Sequence, residues 1–476
     1  MLKIMAAACI AGILLRLSYP PSGFPFFVFL FCAPLLLVSR ELDRADSFYL
    51  GFLTGVCAHA DFLIAFLSWG YALTTLPTLA MGFLFGLQML LVNRLEIIVP
   101  PRTRWLVFPS TWPWICILAD TVIGIPISLS AVWVFSSWAP FGLLPAIGSA
   151  GTDFLILCVP SMLVGVYLKE VKWRSAVAVI TTATLLVLSA STMQQFRSDA
   201  KQQVSLALVQ PALSFEQQLR THWSLAERND REALLDDLTA QAIETDSTLI
   251  VWPEGGNGLL NRRLLRRQEM FRSLSSETEI ALLVSGPDVS PSGQHFNAVH
   301  HIKSGEFFED ARKSLPVPFS EEQIEPGEPS VFQTHAGQIG ISICYESLFR
   351  FHARSLRAQG AELIVVASND SSFGLSATEY WHAAVSVVRA SEVSLPVVFH
   401  SNNGVSLVAN SQGEVVHLNE SGNEPQVLFW NVPVDDKPRE FHHIFIQYSD
   451  TVALFPLVCL ISFSLLSMLP RYAHND

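Results

Sequence analysis

The chain has 476 residues, half of them hydrophobic, with 32 Phe and a mean hydropathy of +0.37, which is too apolar for an ordinary soluble protein. A formal net charge of −12 and the lack of any long basic run exclude nucleic acid as a partner. Of the 30 Lys and Arg and 42 Asp and Glu, only 20 fall within residues 1–200, so the chain changes character near Arg197.

Apolar stretches at Leu2–Leu17, Phe24–Val38, Phe48–Ser68, Tyr71–Val92, Trp105–Ile125, Phe154–Leu168 and Ser175–Ser191 predict seven helices of roughly spanning length. The second and sixth are short enough to be tilted spans or re-entrant pieces. An eighth, Val452–Leu469, closes the chain. Lys3, Arg40, Arg44, Arg94, Arg102, Arg104, Lys169, Lys172, Arg174 and Arg471 occupy alternate connections, which predicts that those connections are cytoplasmic. Arg16 dissents and is expected to snorkel. The pattern places the segment between helices seven and eight outside the cytoplasm. The apolar start runs into Arg16 and Pro20-Pro21 without a cleavage site, so the first helix is expected to stay attached. The expected division is residues 1–196 for transmembrane helices 1–7, 197–449 for an extracytoplasmic catalytic domain, and 450–476 for helix 8 and a short tail.

From Val204 the texture alternates strand and helix. Val204–Gln210, Thr248–Trp252, Ile280–Val284, Ile339–Ile343, Glu362–Val366 and Pro396–His400 read as strands. Ser224–Thr245 reads as a helix with Leu234, Leu235, Leu238 and Ile243 on one face, and another helix carries Arg262, Arg263, Arg266 and Arg267. This is α/β architecture, which places functional groups at the carboxyl ends of strands. Three candidates sit there: Glu254 after Trp252-Pro253, Lys313 ahead of Pro316 and Pro318, and Cys344 followed by Tyr345 and Glu346.

Of seven cysteines, Cys344 alone lies outside the strongly apolar stretches. A cysteine ending an apolar strand is commonly a small buried hydrophobe. With no second cysteine in the polar part of the chain, Cys344 is either inert or a nucleophile. Taken together the three residues suit acyl chemistry on a thiol: Glu254 as general base, Cys344 as nucleophile, and Lys313 stabilising negative charge on the carbonyl oxygen.

The order Glu254, Lys313, Cys344, in Trp252-Pro253-Glu254, Lys313 before Val317-Pro318-Phe319, and Cys344-Tyr345-Glu346, resembles the carbon–nitrogen hydrolase (nitrilase) superfamily. The membrane frame narrows the resemblance to its apolipoprotein N-acyltransferase branch. Ser368-Asn369-Asp370-Ser371-Ser372-Phe373-Gly374, Arg389 to Glu392, and Ser401-Asn402-Asn403-Gly404-Val405 extend it over almost the whole chain. The resemblance implies a nitrilase-like α-β-β-α sandwich inserted between transmembrane helices seven and eight of a multi-pass inner-membrane protein, with the catalytic domain on the periplasmic side. It implies an acyl chain taken from a phospholipid, phosphatidylethanolamine, onto Cys344 as a thioester, then passed to the α-amino group of a diacylglyceryl-cysteine lipoprotein. Glu321, Glu346, Tyr345 and Asn369 match positions near the triad, and Glu321 and Glu346 are expected to orient Lys313 or the active-site hydrogen-bond network.

Three stretches depart from that pattern: Ser372 stands where the family has Trp, Phe296-Asn297-Ala298 replaces Tyr-Asn-Ser, and Pro211-Ala212-Leu213-Ser214 replaces Gly-Asn-Ile-Pro. They bear on regions that shape substrate access and give weight to a second reading, a relative linked to conjugative plasmid transfer with a different acceptor. A third reading, a non-enzymatic membrane scaffold, is opposed by the intact Glu254, Lys313 and Cys344.

No Gly-rich phosphate loop is present, and thioester formation from a phospholipid ester needs no ATP, so no cofactor is expected. His295, His300 and His301 read as surface imidazoles on a strand rather than metal ligands. The arginines at 262–267 read as a solvated helix face. His59, Asp61, Asp120 and Asp153 fall in or near apolar spans, where ionisable groups face protein or water. Arg389 and Glu392 read as a structural ion pair.

Overall fold

The computed structural model describes residues 1–65, 67, 71–136, 141–195, 202–255, 280–303, 306–373, 376–420, 422–434, 451 and 453–462. The chain forms two compact units, one of Met1–Leu63, Thr74–Met193 and Ile444–Asp476, the other of Ile64–Leu73 and Gln194–His443. The predicted domain boundaries, the arginines at 262–267 and Arg471 lie outside the described residues.

The first unit contains α1 (Leu2–Ser18), α2 (Cys32–Ser39), α3 (Arg44–Ala58), the single turn α4 (Phe62–Ala65), α5 (Tyr71–Ile98), α6 (Val107–Leu118), α7 (Leu144–Tyr167) and α8 (Trp173–Gln195). Among the described residues, Thr74–Ile98, Pro101–Ile123 and Leu144–Tyr167 are long and apolar enough to cross a membrane, and Pro25–Ser39 and Ala453–Ser462 are shorter apolar helices. The stretch Phe24–Val38 is therefore not one spanning helix. Pro25 starts a 3₁₀ turn, Pro25–Phe29, and Pro34 lies in the first turn of α2, where its missing N–H is tolerated. The sixth stretch is preceded by ten further helical residues, but Gly148 has a non-helical backbone (φ +66), so Leu144–Tyr167 is two helical pieces joined at a kink.

Arg16 forms an ion pair, its Nε lying 3.2 Å from Asp61. His59 ends α3, with Nδ1 3.0 Å from the Gly55 carbonyl oxygen. Asp153 is buried inside α7, where Oδ2 accepts from Trp112 Nε1 (3.2 Å) and Leu129 N (2.8 Å), and Oδ1 from Ser130 N (2.9 Å) and Ser130 Oγ (2.8 Å). That full set of donors offsets the desolvation of a buried carboxylate. Arg40 meets Glu96 at 2.6 Å and Glu170 at 3.0 Å, so three of the connections that were predicted to share a side converge at one end of the unit.

Small residues set the closest helix contact. A Cβ added to Gly51 or Gly55 of α3 would lie 2.2 Å from the Phe85 carbonyl oxygen or 2.5 Å from that of Met81, both on α5. Gly82 of α5 abuts Val56 and Phe52 in return. This is reciprocal small-xxx-small packing, which lets two backbones approach. Gly51→Val is expected to lower the detergent melting temperature by several degrees at an overpacking cost of about 1–3 kcal/mol; an unchanged melting curve would contradict the contact.

The second unit is built on two six-stranded sheets, in the orders β12-β1-β2-β3-β4-β5 and β11-β10-β9-β8-β7-β6, where β6 is Ser330–Thr334, β10 Ser406–Ala409, β11 Val415–Asn419 and β12 Gln426–Val434, and its helices include α9 (Phe215–Trp223) and α11 (Arg350–Ala358). The strands that carry the site are β1 (Gln202–Gln210), β2 (Leu249–Val251), β3 (Ala281–Val289), β4 (His295–Lys303), β5 (Glu306–Arg312), β7 (Gly337–Ile343), β8 (Leu363–Ser368) and β9 (Val397–Ser401). Alternation along β1 separates two cores. Leu206 and Leu208 join Val251, Leu283, Ile341, Ile343 and Val365 between the sheets, while Ala207 and Val209 pack with Leu235, Leu238 and Trp252 beneath helix α10 (Leu225–Ile243). Each sheet thus buries one face on the other, and the first sheet covers its outer face with a helix.

Strand direction brings the candidate residues to one end. β1, β2 and β3 are mutually parallel, β4 runs antiparallel to β3, and β5 antiparallel to β4, so β5 ends where β2 and β3 end. In the other sheet β7, β8 and β9 are parallel. Asn297, near the start of β4, lies at the same end as Lys313, which follows β5, and the Lys313 N–H donates to the Asn297 carbonyl at 2.7 Å.

The expectation of surface imidazoles is corrected for two of the three histidines. His300 and His301 are fully buried because β5 covers them and places a carboxylate opposite each: His300 Nδ1 is 2.8 Å from Asp310 and His301 Nδ1 is 3.0 Å from Glu309. His295 remains exposed. The Arg389–Glu392 pair forms at 2.8 Å in a buried position, and Arg389 Nε also donates to the Leu348 carbonyl.

Candidate active site

Glu254 follows β2 through Trp252 and Pro253. The Trp252 ring is buried, with Nε1 donating to Thr239 Oγ1 of α10 at 3.1 Å, and Ser285 Oγ donates to the Pro253 carbonyl. Beyond it, Gly255 adopts φ +66, and its carbonyl accepts from Arg231 of α10 at 2.8 Å. Proline ends the strand and glycine supplies the left-handed turn, so the carboxylate is presented at the strand tip.

Lys313 is 1% exposed, and its ammonium lies between two carboxylates, 2.9 Å from Glu254 Oε1 and 2.8 Å from Glu321 Oε2. Asn297 Nδ2 bridges the same two acids, donating to Glu254 Oε1 at 2.8 Å and to Glu321 Oε1 at 2.9 Å. Glu321 Oε2 also accepts from Val317 N at 2.7 Å, which closes the proline-stiffened loop back on the lysine. Burial works against the Lys313 charge, but Glu254, the Cys344 sulfur and Glu321 together hold its pKa above the ordinary value. Burial likewise pushes the Glu321 carboxyl up, and Lys313 outweighs it, leaving the acid below the usual carboxylate range.

Cys344 ends β7 with φ +51, an unusual backbone for a non-glycine residue, and opens the 3₁₀ turn Cys344–Leu348. Such a conformation costs on the order of 1–3 kcal/mol and needs surrounding structure to hold it. Its carbonyl accepts from Ser347 Oγ at 2.7 Å and from His382 Nε2 at 3.2 Å. Burial and then Glu254 push the thiol pKa well above its ordinary value, Lys313 opposes them, and Asp370 adds a further upward push. Burial and the two acids thus favour the neutral thiol over the thiolate.

Glu346 ties the Lys313 and Cys344 loops together. Its Oε1 accepts from Ser314 N at 2.5 Å and Ser314 Oγ at 2.6 Å, and its Oε2 from Ile343 N at 2.6 Å. Ser314 follows Lys313 and Ile343 precedes Cys344, so one carboxylate sets the separation of ammonium and sulfur without touching either. Tyr345 packs edge-on against Phe349, ring centroids 4.8 Å apart, and burial raises its hydroxyl to about 12. Asn369 Nδ2 donates to Gln218 Oε1 at 2.7 Å, and its Oδ1 accepts from Asn402 Nδ2 at 3.2 Å, in an amide cluster at the end of β8.

Three residues at this site were not singled out from sequence. Asn297 was noticed only as part of a departing motif, Ser314 had no signal at all, and His382 lies one turn into a helix, α12 (Thr378–Glu392), that hydropathy did not mark. Among the described residues, the Cys344 sulfur, an Asp370 oxygen and a His382 nitrogen lie within 4.8 Å of one another, a donor set that could hold a metal ion. Both ring nitrogens of His382 are engaged, Nδ1 with Asp370 Oδ1 at 2.9 Å and Nε2 with the Cys344 carbonyl and Ser347 Oγ, so the group is a hydrogen-bond network rather than an open ligand set.

The electrostatics give a direct test. Because the Glu254 charge raises the thiol pKa, Glu254→Gln is expected to shift alkylation of Cys344 by iodoacetamide toward lower pH while acyl chemistry falls by about 100-fold or more. A shift toward higher pH, followed by mass spectrometry of the Cys344 peptide, would contradict the arrangement.

A carboxylate, an ammonium and a thiol gathered at the carboxyl ends of two stacked sheets define a nitrilase-like domain, and residues 204–436 match the carbon–nitrogen hydrolase family. A solved nitrilase-superfamily structure, the Saccharomyces cerevisiae Nit3 protein, aligns at 20% identity over 58% of this chain and 99% of its own, with a TM-score of 0.39. Two curated relatives extend through both units. The apolipoprotein N-acyltransferase of Geobacter metallireducens is 25% identical over 462 residues, covering 86% of this chain and 85% of the relative. That of Vibrio cholerae is 23% identical over 463 residues, covering 86% and 87%. The chain thus resembles the apolipoprotein N-acyltransferases over most of its length.

Proposed function

We propose that the chain is an apolipoprotein N-acyltransferase of the bacterial inner membrane, with residues 197–449 as its periplasmic catalytic domain and Glu254, Lys313 and Cys344 as its catalytic residues. The observation that carries this reading is the buried Lys313 ammonium held between Glu254 and Glu321 beside the Cys344 thiol. As the sulfur attacks the ester carbonyl of a phospholipid, phosphatidylethanolamine, Glu254 takes the thiol proton and Lys313 stabilises the oxyanion. Collapse expels the lysophospholipid alcohol, which takes the proton from Glu254, and leaves an acyl thioester on Cys344. The α-amino group of a diacylglyceryl-cysteine lipoprotein then attacks the thioester. Glu254 accepts the amine proton, the C–S bond breaks, and the thiol is restored as the amide leaves.

The apolar helices give a reason for the architecture, since donor and acceptor are both lipids. The test is complementation of a strain depleted of its own lipoprotein N-acyltransferase, with lipoprotein N-termini read by mass spectrometry. Wild type is expected to restore triacylated N-termini and Cys344→Ala to restore none. Failure of wild type, with a thioester still formed on Cys344, would overturn the acceptor assignment and favour a relative with another acceptor.

A further inference from the structure

Outside the triad, a second set of polar groups is closed in on Cys344. His382 and Asp370 are each 2% exposed. Asp370 Oδ1 accepts from Ser368 Oγ at 3.0 Å and faces His382 Nδ1 at 2.9 Å, and its backbone N–H donates to Ser401 Oγ. The other ring nitrogen of His382 reaches the Cys344 carbonyl, which Ser347 Oγ also engages. Ser386 Oγ donates in turn to Ser347 Oγ at 2.7 Å. The His382 ring is fixed further by Phe399, edge-on with centroids 5.0 Å apart.

We propose that Asp370 and His382 form a positioning dyad for Cys344, in which Asp370 orients the imidazole and His382 donates through Nε2 to the Cys344 carbonyl, holding the nucleophile in its left-handed backbone conformation. A strand residue at φ +51 relaxes toward extended geometry unless something fixes its carbonyl, and that relaxation would swing the sulfur away from Lys313. Misplacing a nucleophile by about 1 Å costs on the order of 100-fold in rate. The dyad also acts through charge: the sulfur feels Glu254, Lys313 and Asp370, accepts from the Ser368 hydroxyl, and has His382 and Asp370 atoms within 4.8 Å.

The inference rests on the reading of Cys344 as the acyl-carrying nucleophile, and its test separates the two. Full-length protein in detergent is followed in two assays by peptide mass spectrometry: thioester formation on Cys344 from phosphatidylethanolamine, and iodoacetamide alkylation of Cys344 against pH. His382→Phe is expected to slow thioester formation by roughly 10- to 100-fold in kcat with little change in KM. His382→Gln places an amide N–H near the lost Nε2 and is expected to recover most of that loss. Asp370→Asn removes a negative charge beside the sulfur and is expected to move the alkylation profile to lower pH while slowing thioester formation. Glutamine no better than phenylalanine, or an Asp370→Asn profile that superimposes on wild type, would overturn the dyad. If the phenylalanine variant fails to fold, the comparison of His382→Gln and Asp370→Asn with wild type decides. Should wild type form no thioester, the proposed function fails, whereas the Asp370→Asn alkylation profile still decides the inference.

Discussion

Lys313→Met is expected to reduce thioester formation on Cys344 by on the order of 100- to 1,000-fold, the typical cost of losing one oxyanion-stabilising donor. The lysine has a second role that makes the substitution more damaging than a lost catalytic contact. Its ammonium is the cation between Glu254 and Glu321, and neither acid is free to turn to water, because Asn297 and the Val317 N–H hold them in place. Removing one partner from a buried charge cluster leaves uncompensated charge and costs about 3–5 kcal/mol. The melting temperature in detergent should therefore fall along with the rate. Lys313→Arg keeps the charge, but a planar guanidinium does not fit a slot built for a compact ammonium, so it should recover stability more than activity. A Met variant with wild-type rate would remove Lys313 from the chemistry.

Glu346→Ala is expected to be nearly as severe, although the hydrogen bonds of Glu346 go to Ser314 and Ile343 rather than to the sulfur. Its two oxygens accept from Ser314 N, Ser314 Oγ and Ile343 N, all at 2.5–2.6 Å. Each buried donor left unsatisfied costs about 1–3 kcal/mol. Because Ser314 adjoins Lys313 and Ile343 adjoins Cys344, losing the carboxylate also frees the two loops to separate. The expected signature is a collapse in kcat and a lowered melting temperature, with phospholipid KM little changed. Glu346→Gln keeps one acceptor oxygen and should fall between alanine and wild type. An alanine variant that loses affinity alone would place Glu346 at the substrate instead.

Much of the architecture was legible because it rests on periodicity. The β strands Val204–Gln210 and Ile339–Ile343 show as apolar runs since both faces of each are buried, and helix α10 shows through its one-sided leucines. Glu254 and Cys344 were legible as polar groups at strand ends, the first through Pro253 and the second through the abrupt change to polar residues after Ile343, whereas Lys313 follows a strand that does not read as one. What the sequence concealed was cross-strand and cross-loop pairing. The exposed-looking His300 and His301 are buried by β5, whose Glu306–Arg312 run is too charged to read as a strand. Ser314, Asn297 and His382 act through contacts with residues 12 to 43 positions away or through a helix whose polar face points inward, and no local pattern encodes that. In the first unit, proline and glycine decided where hydropathy could not. Pro25 starts a 3₁₀ turn that interrupts a stretch that looks continuous, and Gly148 kinks α7 with a non-helical backbone.

The most direct test of the account is the state of the Cys344 sulfur during turnover. Purified full-length protein is mixed with phosphatidylethanolamine in the absence of acceptor, quenched in acid, and the Cys344 peptide is weighed. The account predicts a peptide heavier by one fatty acyl group, labile to neutral hydroxylamine, discharged when a diacylated lipopeptide is added, and absent from Cys344→Ala. Acyl transfer to the lipopeptide with no acylated Cys344 at any time, or acylation that persists in the alanine variant, would contradict it.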